Sequence, residues 1–208
     1  LAITDAEALR EHFRRPENGE PAYLERAGTL AHGDLLEWWR TASRNLRAAL
    51  DPLDPAARIP WAGPPMSGVS HVTARLMETW SHGLDVVDVA GVERPDTDRL
   101  RHVAFLGVRT RPYSYQTRNL EPSRVPVRVS LTAPSGATWE LGDDTNENVV
   151  RGSATDFCRV VTQRRHIADT SLEVIGDAAR EWMGIAQAFA GPPGAGRQPG
   201  EFPREAKR

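Results

Sequence analysis

Five side chains that can bind a metal, move a proton or hold an anion fall at helical spacing in one segment: His71, Arg75, Glu78, His82 and Asp85. They step by four, three, four and three residues, which places all five on one face of a helix. Val69, Val72, Leu76, Trp80, Leu84, Val86 and Val87 fill much of the remaining circumference, so this helix is expected to be buried. Buried His, Arg and Glu need partners or a metal. Glu78 and His82 stand one turn apart and point the same way, the arrangement by which one helix offers two ligands to a divalent ion. Asp85 lies one turn further, placed to orient the second nitrogen of His82. His71 is about 10 Å up the helix from Glu78 at ~1.5 Å per residue, which suits a pocket wall better than a ligand. The competing reading is an ion network that holds helices in register.

A second stripe follows. His102, Leu106, Arg109 and Tyr113 share a face, with Arg111 and Tyr115 near the same end. Arg109 is the strongest candidate for a clamp on a carboxylate or other anion beside the metal, against the plainer reading of solvent-facing arginines. The basic run Thr162-Q-R-R-His166 closes a helix, where positive charge suits the C-terminal dipole. Cys158 sits between Phe157 and Val161 at an apolar position and reads as an inert core thiol. There is no Walker loop, dinucleotide glycine fingerprint, nucleophile elbow or zinc ribbon.

The elements that must position these groups change character along the chain. The 208 residues suffice for one large or two small domains. A net charge of −2 gives no general argument for nucleic acid or an anionic membrane as partner. One cysteine excludes an intramolecular disulfide and fits a reducing cytoplasm, and no apolar run approaches the ~20 residues that span a bilayer. The expectation is a soluble cytoplasmic protein. Lys207 is the only lysine among 26 basic residues, a bias typical of a GC-rich bacterial genome.

Helices are expected over residues 3–14, 33–50, 67–91 and 97–118, with a turn at 16–21 and a proline-rich loop at 51–66. Short loops between them suggest a bundle. After Pro122 the period changes: 125–132 and 137–141 form a hairpin, 148–152 a third strand, and 172–176 a fourth. Ser153 caps a helix running to about Arg165, and Asp177 starts another through Phe189. The fold class is therefore a helical bundle followed by a small α+β unit. The domains are 1–122, 123–190, and a tail at 191–208 whose Pro and Gly content suggests disorder.

Several stretches carry a family resemblance: Ile59-P-W-A-G-P-P-M-Ser67, Leu76-M-E-T-W-S-His82, Thr97-D-R-L-R-H-V-A-F-L-G-V-R-Thr110, Asp156-F-C-R-V-V-T-Q-R-R-His166 and Ile185-A-Q-A-F-A-G-P-P-Gly194. They resemble an actinobacterial, metal-binding branch of the mycothiol-dependent maleylpyruvate isomerase family, which has a DinB-like up-and-down four-helix bundle and a sterol-carrier-like C-terminal domain. The resemblance implies that Glu78 and His82 bind Zn²⁺ or another divalent metal. Mycothiol, or another low-molecular-weight thiol, would be the co-substrate, and an isomerisation of, or transfer to, an electrophilic small molecule the outcome. Arg109 and Asp85 would then be catalytic, with His71, Arg75, His102 and Tyr113 binding substrate. The alternative is a non-catalytic bundle that binds a metal or small ligand, and a homodimer is compatible with either. The family's first-ligand His would fall just upstream of Leu1. Residues 1–13 resemble the continuation of that helix, so the chain is expected to be cropped there.

Overall fold

A computed structural model describes residues 22–61 and 65–201. The helix expected at 3–14 and the turn at 16–21 lie outside the described residues. The chain parts into two compact units, residues 1–72 and 73–208, a different line from the change of residue pattern at 122.

The first unit contains α1 (Ala22–Thr29), a helix that the turn-rich flanking sequence does not announce, and α2 (His32–Leu50), which starts one residue before the expected Gly33. The proline-rich loop holds a two-stranded ribbon, β1 (Arg58–Ile59) against β2 (Met66–Ser67). The long helix α3 (Gly68–Ala90) begins here, its start marked by the Ser67 hydroxyl accepting from the Ser70 amide at 3.2 Å. His71, also in this unit, is buried with its ring edge-on to Trp61, centroids 6.0 Å apart.

The second unit takes the rest of α3, then α4 (Leu100–Arg109) and α5 (Arg111–Gln116). The single helix expected over 97–118 is thus two, broken at Thr110 (φ −89°, ψ 7°). Pro112 supplies the reason, since it has no N–H to continue the ladder and suits the first turn of a new helix. The sheet contains β3 (Arg128–Thr132), β4 (Thr138–Gly142), β5 (Val149–Ser153) and β6 (Glu173–Ile175) in the order β4-β3-β5-β6. Strands β3 and β4 form the expected hairpin, Leu131 opposite Trp139, while β5 lies parallel to β3 and β6 antiparallel to β5. The protein therefore combines helices with a mixed sheet, as an α+β chain.

Between β5 and β6 run α6 (Ala154–Val161) and a short 3-10 turn, and α7 (Asp177–Ile185) follows β6. The cap at Ser153 is as expected, its hydroxyl accepting from the Asp156 amide. Helix α6 stops at Val161 rather than Arg165, because the chain turns through Gln163 at φ 59°. Likewise α7 ends at Ile185, short of Phe189.

Alternation decides which sheet face is dry. Val129, Leu131, Trp139 and Val150 point to a core shared with Met77, Trp80 and Leu84 of α3, Val103 and Ala104 of α4, Phe157 of α6 and Trp182 of α7. The opposite face carries the Arg128–Glu140 and Arg151–Glu173 pairs. Gly107 lets α4 approach α6, since a Cβ there would lie 2.8 Å from a Val161 methyl. The expectation that α3 is buried around most of its girth fails at Val69, Val72, Val86 and Val89, all exposed.

Of the tail expected over 191–208, residues 202–208 lie outside the described residues, and the chain around Gly191 has polar partners. The Gly191 amide and carbonyl both bond the Tyr113 hydroxyl, and Gln187 Nε2 donates to the carbonyls of Phe189, Gly191 and Pro192. Fixed polar partners can hold a segment that has no hydrophobic periodicity.

Candidate metal centre

Helix α3 brings Glu78, His82 and Asp85 together as the spacing requires. His82 Nε2 stands 3.2 Å from Glu78 Oε2, and His82 Nδ1 stands 3.1 Å from Asp85 Oδ2. Arg164, in the turn after α6, closes the arrangement from another element. Its Nε and Nη2 grip the two Asp85 oxygens at 2.9 and 2.7 Å, and Nη2 lies 3.3 Å from His82 Nδ1. Next to it, Arg165 makes a second forked pair with Asp88, both side chains nearly buried. The Thr162–His166 run therefore does more than complement a helix dipole: two consecutive arginines clamp the last turns of α3. Nothing in the local pattern of that run could reveal the clamp, because Arg164 is 79 residues from Asp85.

Charge fixes the roles. Burial by itself would raise the Asp85 carboxyl, but the Arg164 hydrogen bonds and charge outweigh it, with help from His82, and hold Asp85 below its ordinary range. Asp85 is then an anion that accepts from Nδ1–H of His82, which leaves Nε2 bearing the lone pair in a neutral ring. Nε2 stands 3.2 Å from the Glu78 carboxylate. Two acceptors so placed repel unless a positive centre lies between or beside them, either a proton or a metal ion. Two ligands at ~2.0–2.2 Å from one tetrahedral ion stand roughly 3.3 Å apart, so the pair fits two corners of such a site. Among the described residues there is no group of three or more His, Cys, Asp or Glu arranged to hold a metal.

The remaining candidates are placed elsewhere. His102 and Arg109 are exposed on α4, the Arg109 guanidinium 5.9 Å from the centroid of the Phe105 ring. Tyr113, beyond the break at Thr110, spends its hydroxyl on Gly191. Arg75 is half-buried on α3, one turn before Glu78. Cys158 is buried, its thiol 3.6 Å from the Leu100 carbonyl, and burial with the nearby Asp96 charge pushes it well above the usual thiol range. It is inert, as expected.

Residues 2–87 match the mycothiol maleylpyruvate isomerase N-terminal domain. Uncharacterized proteins of two strains of Mycobacterium tuberculosis are each 44% identical over 200 residues, covering 94% of this chain and 78% of the relative. The chain belongs to the mycothiol maleylpyruvate isomerase N-terminal domain family. Membership ties it to a family named for mycothiol and found in actinobacteria, and the matched segment contains Glu78, His82 and Asp85. Arg164 lies outside that segment but within the reach of the mycobacterial likeness, which spans nearly the whole chain. No solved structure matches the chain. No helix among the described residues is long and apolar enough to cross a membrane.

Proposed function

We propose that this protein uses a divalent metal, Zn²⁺ or a close substitute, to activate a low-molecular-weight thiol such as mycothiol for addition to an electrophilic small molecule. The observation that carries the reading is His82 Nε2 at 3.2 Å from the Glu78 carboxylate on one edge of α3, with the other ring nitrogen 3.1 Å from Asp85. Glu78 and His82 are the two ligands that α3 supplies in this reading. When bound, such an ion supplies Lewis acidity that lowers the pKa of a thiol beside it and makes thiolate available near neutral pH. Asp85 keeps the His82 ring in the tautomer that presents Nε2, and Arg164 keeps Asp85 ionised and oriented. His82 is exposed, so small molecules can reach this edge of the helix. The outcome for the electrophile is isomerisation or thiol transfer.

Metal analysis of protein purified without a metal-affinity tag is the direct test. Near-stoichiometric zinc or another divalent ion is expected, with affinity lowered about 100-fold in His82→Ala and Glu78→Gln and about 10- to 100-fold in Asp85→Asn. A protein that binds no divalent metal at micromolar concentration, and whose His82→Ala variant keeps its fold, overturns the reading. Bound metal without consumption of mycothiol and an electrophile would instead favour a non-catalytic binding protein.

A further inference from the structure

Arg118 follows α5 and is partly buried. Its guanidinium donates to the Ser114 carbonyl at 3.1 Å, the Thr117 hydroxyl at 3.3 Å, the Gln187 side-chain oxygen at 3.3 Å and the Gly194 carbonyl at 3.5 Å. Every one of these acceptors is neutral. All four bonds are longer than the ~2.7–2.9 Å of charge-assisted bonds. Among the described residues no carboxylate forms an ion pair with it. A half-buried charge answered only by dipoles is costly, and burial pushes the Arg118 guanidinium below the usual arginine range.

Beside Arg118 is a cavity of about 70 Å³ lined also by Gln163, Arg165, His166, Gly194 and Arg197, with no acidic residue in its wall. Arg165 and Arg197 have carboxylate partners, Asp88 for the first and both Glu201 and Asp85 for the second, so they contribute donors rather than spare charge. The His166 Nδ1 accepts from the Ala168 amide at 3.1 Å, so a neutral ring carries its proton on Nε2 and is a donor as well. The chain segment that forms one wall is fitted closely to the other: a Cβ on Gly194 would lie 2.6 Å from the Gln163 side-chain oxygen. The segment is held beyond the cavity by the Gly200 amide on the Asp169 carboxylate at 2.9 and 3.0 Å.

We propose that this cavity is a binding site for a small oxyanion, a carboxylate or a phosphate group, with Arg118 as the residue that supplies the charge. One ordered water needs roughly 10–15 Å³, so the volume admits one compact anion group and excludes a nucleotide or an aromatic acid in full. The cavity lining includes neither Glu78 nor His82, although Arg197 in its wall also stands 3.7 Å from Asp85.

Calorimetric titration of the full chain with inorganic phosphate and with malonate, at ionic strength held constant with sodium chloride, tests the site. Saturable binding of at least one probe is expected, and the tighter of the two identifies the source of the anion. The same probe should shield Arg118 from phenylglyoxal in the intact protein, read on its own peptide by mass spectrometry. Arg118→Gln should weaken binding about tenfold or more, while Arg180→Gln, on the exposed side of α7, should leave it unchanged. Absence of saturable binding by both probes overturns the proposal. So does an Arg118 that is not shielded, or binding that survives Arg118→Gln. If that variant does not fold, the shielding measured on the natural protein decides.

Discussion

Helices α2 and α6 both have an apolar face, yet they end in opposite states. Over nineteen residues α2 buries none, and leaves Leu35, Leu36 and Trp39 at the surface. Over eight residues α6 buries Ala154, Phe157, Cys158, Val160 and Val161. The contrast extends to the two units. Among the described residues of the first, Ile59 is the only large apolar side chain that is buried, whereas the second has one continuous core. An amphipathic pattern states which face can be buried. Only a partner surface converts that face into stability, since most helical stability in proteins comes from tertiary packing of the amphipathic face.

The sharpest way to break the comparison is a pair of tryptophans. Trp182 is 1% exposed and packs edge-on against Phe157, so Trp182→Ala should cost about 3–5 kcal/mol. Trp39 is 61% exposed, and Trp39→Ala should stay within about 0.5 kcal/mol. Urea unfolding measures both, and equal losses would show that α2 is buried in solution.

A smaller effect is expected from glycines. Gly107→Ala forces a methyl against Val161 and should destabilise by about 1–3 kcal/mol. Gly33→Ala, in the first turn of α2, meets nothing within 4 Å and should stabilise by about 0.5–1 kcal/mol. A stabilising Gly107→Ala in thermal melts would mean that α4 and α6 are not in close contact.

The smallest effect lies on the wet face of the sheet. The Ser130 hydroxyl and the Arg128 guanidinium hold the Glu140 carboxyl below its ordinary value. A carboxyl lowered by folding contributes stability that is present above its unfolded pKa and lost as pH falls through the folded one. The group is exposed and screened, so the contribution is slight. The melting temperature of Glu140→Gln should fall below that of the natural chain at pH 7, and the gap should narrow as the pH falls below 4.5. A gap that widens in acid would refute the assignment.

The hairpin of the second unit was legible because residues 128–132 alternate and Ala133-Pro134-Ser135-Gly136 marks the turn. The Glu78–His82–Asp85 edge was legible for the same kind of reason: spacing of four and three on a continuous helix sets proximity by geometry alone. The second stripe was misjudged at Pro112, whose break of the helix ends the face shared by Arg109 and Tyr113. The hydrogen bonds of Gly191 to Tyr113 and Gln187 were not legible, because they join distant residues and carry no periodic signal.

By itself, the sequence determined the hairpin, the cap at Ser153 and that a carboxylate and an imidazole share one edge of α3. These follow from local periodicity, capping and turn chemistry, each acting within a few residues. Only the tertiary structure decided that Arg164 clamps Asp85, that Arg165 clamps Asp88, and that Arg118 stands beside a small cavity with neutral partners. Those contacts join residues far apart along the chain, and no local pattern encodes which distant charge a side chain will meet once the core has closed.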